Sequence, residues 1–291
     1  MSQDWSCGRG LDILGHAAVV TASDREGQEA LEAVFQDFPT RPPTLEALHY
    51  SLSHDADRWT VEARGARAYE GDALGVALTA LEWHVFTDML ERTERFHLHG
   101  AALCAPKDAA SLLILGASGV GKTTLTLALM ALGFVPFTDD VIVVEPDTLA
   151  PLTFPRAFHV DASARRLVEQ LPDRPSARFD GLPSGYCVPA QWARVVAPVR
   201  AILFPTLAAG ESPSATRLSI ADAAVTLLPF STTLVNAPAH ALTLASRLTG
   251  QARCYALRMG ELAATARLVQ ALMRGEEQEG SGPPVVDSVI G

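Results

Sequence analysis

Hydrophobic and polar positions first follow a mixed strand and helix pattern. Apolar residues predict a strand at residues 17–21, a helix at 26–38, and antiparallel strands at 45–52 and 58–64. The turn signals between the last two runs favour a hairpin. We therefore expect a small α+β unit here, whose last two strands present an exposed edge that an extended peptide can join.

A longer helical pattern follows and leads into a larger unit. Residues 72–93 carry apolar side chains at helical spacing, and Asp72 is the candidate N-cap. We divide the chain into an N-terminal α+β accessory domain at 1–85 and a larger domain at 86–274. Substrate recognition and a packing or oligomerisation role are equal alternatives for the first domain. The tail at 275–291 is rich in glycine, proline and acidic residues, and we expect it to be mobile.

Composition excludes several classes of protein. With 48% hydrophobic and 19% charged residues among 291, the chain can bury a sizeable core and is not of the disordered class. Apolar runs are too short for a membrane span, and the first residues lack a secretory pattern. The four cysteines are widely spaced, which predicts neither a zinc site nor a disulfide framework. A net charge of −10 argues against nucleic-acid binding. We expect a cytoplasmic protein.

The most specific motif lies at residues 116–123, which read G-x-x-x-x-G-K-T. An apolar β run at 111–115 enters it and a helical pattern at 123–132 leaves it. Of the 23 basic residues only two are lysines, and one of them occupies the motif position. In such loops backbone N–H groups and the helix N-terminus bind phosphates, the lysine reaches the β- and γ-phosphates, and the hydroxyl binds Mg²⁺. The predicted nucleotide-binding residues are Gly116, Ala117, Ser118, Gly119, Val120, Gly121, Lys122, Thr123 and Thr124.

Two adjacent carboxylates follow the predicted helix. Residues 134–138 predict a strand beside the first one, and it ends at Asp139 and Asp140. Because this is the carboxyl edge of an α/β sheet, we expect both aspartates to face the phosphates. One can hold Mg²⁺ while the other accepts a proton from an attacking hydroxyl. The β-branched run at 141–144 and the turn signal at 145–147 then predict a hairpin.

With these motifs in place, residues 96–160 resemble the catalytic domain of HPr kinase/phosphorylase and its shorter serine-kinase relatives, some of which phosphorylate ribosomal peptides. The resemblance rests on four motifs in the same order. They are His99-Gly100-Ala101-Ala102, the loop at 116–123, the Asp139-Asp140 pair, and Phe154-Pro155-Arg156. Phosphoenolpyruvate carboxykinases share this kind of nucleotide core.

The resemblance implies an α/β fold with a P-loop core of the HPr kinase/phosphoenolpyruvate carboxykinase type, and an ATP- and Mg²⁺-dependent hydroxyl kinase. Asp139 would act as the base, and Asp140 would lie near the metal with Thr123, although the two aspartates can exchange roles. His99 matches the family histidine, and His97 shares its strand face, so either can approach the phosphates. Arg156 would pair with phosphate oxygens.

The identity of the acceptor is left open by these motifs. A serine on a peptide or small protein is the leading expectation, a small-molecule alcohol is the alternative, and a nucleotide-binding regulatory module without turnover is the third reading. A homo-oligomer is also left open. The chain departs from HPr kinases proper at Thr124, where they carry an acidic residue.

Overall fold

The computed structural model describes residues 8–107, 109–179, 182 and 185–276. Its strands are β1 (Arg9–Ile13), β2 (His16–Ala22), β3 (Leu48–Asp55), β4 (Arg58–Ala63), β5 (Ala66–Gly71), β6 (Phe96–Cys104), β7 (Ser111–Leu115), β8 (Val135–Thr138), β9 (Val141–Val144), β10 (Phe158–His159), β11 (Ala177–Arg178), β12 (Tyr186–Pro189), β13 (Val199–Leu207), β14 (Ser214–Arg217) and β15 (Arg253–Met259). Its helices are α1 (Arg25–Phe35), α2 (Leu74–Leu90), α3 (Lys122–Ala131), α4 (Ala162–Glu169), α5 (Ile220–Leu227), α6 (Thr233–Asn236), α7 (Pro238–Gln251) and α8 (Leu262–Arg274), with a 3₁₀ turn at Leu228–Phe230. No described helix is both long and apolar enough to cross a membrane.

Some sequence expectations lie outside the described residues. The expected mobility of the tail is one of them, because the described residues end at Glu276. Gly275 is described and ends α8, because its φ of 82° supplies the left-handed C-cap conformation that favours glycine.

The N-terminal unit is a five-stranded sheet in the order β1-β2-β3-β4-β5. The predicted strands are confirmed, and β3 and β4 pair antiparallel around a two-residue turn. That turn uses Ala56 and Asp57 at positive φ, as hairpin turns of the mirror-image type require. Helix α1 ends at Phe35, earlier than predicted, and Asp24 caps its start by accepting from the Gly27 N–H.

The expected peptide-binding edge at β3 and β4 is wrong. Both strands lie inside the sheet, where each is hydrogen bonded on two sides, so neither has unpaired backbone groups to offer. The outer strands are β1 and β5. Residues 39–41 already contact β1 through the Asp12 N–H bond to Pro39 O and the Arg41 N–H bond to Gly10 O.

Helix α2 packs the N-terminal sheet against the rest of the chain. Its start departs from the prediction, because Ala73 and not Asp72 is the N-cap and no side chain caps the helix. One hydrophobic core contains residues of the N-terminal sheet and residues of the larger unit such as Phe154. This core also buries Leu78, Leu81 and Phe86 of α2. The two units therefore share one hydrophobic core across α2.

The larger sheet runs β14-β15-β13-β7-β6-β8, and β9 also pairs with β6. The expected neighbour relation of β7 and β8 is wrong, because β6 lies between them and is antiparallel to both. Since β7 and β8 are each antiparallel to β6, they run parallel to each other and still end at the same edge of the sheet. The predicted hairpin is confirmed: β9 pairs with β6 in line with β8, and the chain turns back after Val144, which bridges antiparallel to Pro151.

Both faces of this sheet are covered by helices. Leu112 and Ile114 of β7 pack in one core with residues of α3, α4 and α8, whereas Leu113 and Leu115 pack in another with residues of α5 and α7. The continuous apolar run of β7 is therefore buried on both sides, as a central strand of an α/β sheet requires.

A chain that begins at Asp72 tests how far the larger unit depends on the N-terminal sheet. It keeps α2 but exposes Leu78, Leu81 and Phe86, which are almost fully buried in the whole protein. Burying such side chains contributes about 1.5–3 kcal/mol each. We expect the shortened chain to aggregate or to unfold without a cooperative transition, as measured by gel filtration and thermal circular dichroism beside the full chain. A soluble, cooperatively unfolding product would contradict this expectation.

Candidate active site at the sheet edge

The glycine-rich loop (residues 116–124) joins the end of β7 to the start of α3, as the motif predicts. Gly119 and Gly121 have φ values of 79° and 95°, which side-chain-bearing residues rarely adopt. Gly121 is the N-cap of α3, and its carbonyl accepts from the Leu125 N–H. The first N–H groups of the helix and its positive dipole end therefore point toward the loop, an arrangement that binds anions.

Lys122 is held inside this loop and is only 7% exposed. Its Nζ donates to the carbonyl oxygens of Gly116 at 2.8 Å and Ala117 at 2.9 Å, and it contacts His99 Nε2 at 3.0 Å. Burial lowers the pKa of the Lys122 ammonium, and the nearby carboxylates of Asp139 and Asp140 oppose that shift. The loop thus contains a partly desolvated cation beside two acids.

Asp139 faces the hydroxyl of the loop. Thr123 Oγ1 donates to Asp139 Oδ2 at 2.6 Å, while Oδ1 is buried without a hydrogen-bond partner in the described residues. Asp139 is 3% exposed, and burial raises its pKa to about 6 despite the hydrogen bond from Thr123. A buried oxygen without a partner is suited to take up a proton or contact a cation.

Asp140 is fixed in a different way. Its backbone adopts φ 70°, and its carboxylate accepts from Arg156 and from His99 Nδ1, the latter at 3.2 Å. The hydrogen bond from His99 is the largest cause of a strongly lowered pKa of Asp140, and the positive charge of Arg156 adds to it. Asp140 is therefore a firmly ionised carboxylate, in contrast to its neighbour.

His99 connects the acid pair to the lysine. Since an ammonium group can only donate, His99 Nε2 accepts from Lys122, and Nδ1 carries the proton that reaches the backbone oxygen of Asp140 at 3.0 Å. His97 is not part of this arrangement. Its Nε2 contacts Thr93 Oγ1 at 3.0 Å, and it lines a separate cavity beside α2, α6 and α7. The expectation that either histidine can reach the loop therefore holds for His99 alone.

Arg156 lies between Asp140 and a buried glutamate that sequence reasoning missed. Glu82 of α2 is fully buried and accepts from Tyr186 Oη at 2.7 Å, His159 Nε2 at 3.0 Å and Arg156 Nε at 3.5 Å. Burial tends to lower the pKa of Arg156, but the carboxylates of Glu82 and Asp140 outweigh it and raise the value. The available signal was a glutamate on the apolar face of a predicted helix, between Leu78, Leu81 and Val85.

These groups line one cavity of about 830 Å³. Most of the loop opens into it, together with both aspartates, His99, Arg156 and His159. Helix α4 and the ends of β13 and β15 supply the rest of its wall, including Leu167, Leu207 and Met259. The described lining of this cavity does not include Arg165, Arg166, Arg174 or Arg178, although Arg165 and Arg166 belong to α4.

The oxygen donors fit a magnesium ion better than a metal held by protein alone. No group of three or more histidine, cysteine, aspartate or glutamate side chains forms a metal cage in the described part of the chain. Mg²⁺ needs no such cage, because it binds through one or two carboxylates, water and substrate phosphates. The Thr123 hydroxyl and the unpartnered Oδ1 of Asp139 are hard oxygen donors of this kind.

The two aspartates should respond to pH in different ranges. The raised pKa of Asp139 means that its protonated form is favoured in the folded state, so the wild type loses stability as pH rises from about 4 through 6. Asp139→Asn removes this loss. In Mg²⁺-free buffer, the free energy of unfolding of D139N relative to wild type should therefore increase by about 2–3 kcal/mol between roughly pH 4 and pH 7.5, at about 1.4 kcal/mol per pKa unit.

Asp140→Asn is the control for this measurement. The pKa of Asp140 is lowered, so its contribution is complete above the unfolded value near 3.8 and is lost only as pH falls further. Its own titration therefore adds no pH dependence above about pH 5, and only the loss of its charge, which helps to raise the pKa of Asp139, changes the effect of D140N there. The free energies of unfolding are measured by denaturant titration at each pH. If they change equally with pH in the two variants, the assignment of the protonated carboxyl to Asp139 is contradicted.

Glu82→Gln should destabilise the protein strongly, because it removes the negative charge beside the buried Arg156 and replaces one of the two acceptor oxygens with an NH₂ donor. We expect a loss of about 3 kcal/mol in the free energy of unfolding, as when one partner of a buried ion pair is removed. Glu70→Gln is the matched control: Glu70 accepts from Arg58 at 2.8 Å on the surface, where a pair contributes less than about 1 kcal/mol. Equal losses in both variants would contradict the role of Glu82 as a buried charge partner.

Comparison with known proteins adds little to this description. No protein-family model matches the sequence, and no curated protein matches it. Among solved structures, the chain is similar to the HPr(Ser) kinase/phosphatase from Coxiella burnetii at 15% identity and a TM-score of 0.32, covering 62% of this chain and 88% of that one. A match at this level carries no argument about activity, so the resemblance of residues 96–160 stays a prediction from their motifs.

Proposed function

We propose that this protein is a P-loop kinase that transfers the γ-phosphate of ATP, with Mg²⁺, to a hydroxyl group, and that the acceptor is a serine of a peptide or small protein. The observation that carries the proposal is the contact between the loop and the acid pair. Lys122 and Thr123 begin α3; Asp139 accepts a hydrogen bond from Thr123, and Asp140 is connected to Lys122 through His99, all within one cavity. Phosphoryl transfer needs this combination of groups that donate hydrogen bonds to phosphate, metal ligands and a proton acceptor.

The loop supplies the phosphate side of the reaction. Its backbone N–H groups and the N-terminus of α3 can cradle the phosphates. Lys122 Nζ donates to the loop's own carbonyl oxygens, and a bound triphosphate offers it stronger, charged acceptors in the same place. His99 fixes the lysine from the other side, which keeps the cation directed at the β- and γ-phosphates.

Thr123 and one of the two aspartates would hold the magnesium ion. When bound, Mg²⁺ neutralises the charge that develops on the phosphate oxygens. Asp140 is suited to this role by its firmly ionised carboxylate, and Asp139 by its contact with Thr123. We propose that Asp140 holds the metal, which leaves Asp139 free to act as the base. The pKa of Asp139 is about 6, which suits proton acceptance near neutral pH.

The acceptor hydroxyl must approach Asp139 Oδ1 from the side of the acid pair that faces away from the loop. Arg156 and His159 line this part of the cavity, and Glu82 orients both. Arg156 neutralises Asp140 and is placed to contact a transferring phosphoryl group. A small-molecule alcohol is the alternative acceptor. A purely regulatory nucleotide-binding module needs no proton acceptor, so the raised pKa of Asp139 argues against it.

The test compares binding with transfer. Lys122→Ala should abolish Mg·ATP binding in calorimetry and release of γ-phosphate from labelled ATP, because it removes the cation that meets the phosphates. Lys107→Ala is the matched control, since Lys107 is exposed and outside the site. Asp139→Asn should still bind Mg·ATP but lower transfer, to water or to a mixture of serine peptides, by about 10²–10⁴-fold.

Three outcomes would contradict parts of this proposal. Normal transfer by Lys122→Ala would remove the phosphate role of the loop. If Asp140→Asn lowers transfer without weakening binding, while Asp139→Asn mainly weakens binding in the presence of Mg²⁺, the two aspartates have exchanged roles. Full activity in both variants would leave the pair structural and overturn the roles of base and metal ligand that we propose for it.

A further inference from the structure

Two large apolar side chains are exposed inside the main cavity. Leu167 of α4 is 49% exposed and Leu207 at the end of β13 is 67% exposed, and both line the cavity that contains the glycine-rich loop. Met259, Leu171 and Leu262 line the same part of it. The same cavity is also lined by lysine, arginine, histidine and two aspartates. Binding of phosphates requires only such charged and polar groups and no apolar wall. Apolar surface of this kind indicates a ligand with a flat or hydrophobic part.

The sheet order separates the apolar wall from the acids. Strands β13 and β15 lie on one side of β7, whereas β6 and β8, which carry His99 and lead to Asp139, lie on the other. Because β7, β13 and β15 run parallel, Leu207 and Met259 end at the same edge as the loop. The loop is therefore central, with the charged groups to one side and the apolar groups to the other.

This order bears on the direction of a bound nucleotide. With the γ-phosphate on the side of the loop that carries Lys122 and the acid pair, as the proposed function requires, the nucleoside extends toward β13 and β15. Gly121 marks the contact, because a Cβ at this position would lie 3.5 Å from Met259 Cε. The apolar wall thus begins next to the loop and lies along the direction that the nucleoside must take.

We propose that Leu167 and Leu207 bind the purine ring of ATP, between α4 and the ends of β13 and β15, and so determine affinity for a nucleotide as opposed to a bare polyphosphate. This inference rests on the proposed function and adds the site of the base to it. Neither side chain belongs to the buried core, since Leu207 is 67% and Leu167 49% exposed.

The experiment compares two probes on the full-length protein with Mg²⁺: a non-hydrolysable ATP analogue and inorganic tripolyphosphate. Leu207→Ser and Leu167→Ser should each weaken binding of the analogue by about tenfold, because each removes apolar surface that the purine ring would cover, and leave tripolyphosphate affinity unchanged. Leu207→Met should retain binding because it keeps the apolar surface. Val225→Ser is the control, since Val225 is 69% exposed on α5 and does not line the cavity.

Each remaining outcome overturns a distinct claim. If both probes bind the wild type and the two serine variants bind the analogue normally, the base lies elsewhere and the inference is wrong, although the proposed function stands. If the serine variants bind both probes equally less tightly, the leucines maintain the structure of the phosphate site, and the inference is also overturned. If neither probe binds the wild type, the proposed function fails, and the inference fails with it.

Discussion

Strand β6 is the element on which the candidate site depends. Its second half pairs with β7 and β8, and its first half extends beyond the edge of the sheet to pair with β9. The backbone of Gly100 makes this close approach feasible, because a Cβ there would lie 2.4 Å from the carbonyl oxygen of Ile114. Its N–H group also donates to Asp140 O at 3.2 Å. One strand therefore holds the loop and the acid pair at a fixed separation.

The interruption between β8 and β9 explains why the two aspartates differ so much. The chain must leave the ladder at this point, and Asp140 takes a left-handed conformation that non-glycine residues adopt at some cost. As a result the neighbouring carboxylates point to different partners, Asp139 to Thr123 and Asp140 to His99 and Arg156. Their pKa values are shifted in opposite directions, which is the arrangement that lets two acids perform different tasks.

The charges of the site form a connected series that reaches the N-terminal unit. Glu82 belongs to α2, which packs against the N-terminal sheet, and it holds Arg156, which in turn pairs with Asp140. Such buried ion pairs contribute little to stability compared with apolar packing. Positioning is a better explanation for this one, because each member orients a group that lines the cavity. It also gives the N-terminal sheet a physical connection to the acid pair.

Much of this could be predicted from the sequence, because local patterns specify local structure. Hydrophobic periodicity predicts β2, β3, β4 and the strand and helix of the β7–loop–α3 unit. The glycines of the loop mark the turn between them, which places Lys122 and Thr123 at the start of α3. Strand order, the free edges of the N-terminal sheet and the partners of Glu82 could not be predicted. They depend on hydrogen bonds and burial between residues far apart in the chain, such as Glu82 with Tyr186. The same holds for Leu167 and Leu207, whose shared cavity exists only because α4 and β13 pack around one loop. The sequence by itself determined which residues can bind phosphate and accept a proton, since that is a property of side-chain chemistry and short spacing. Only the tertiary structure decided which of them meet, because non-local packing sets distance and burial, and these set the charge state of each group.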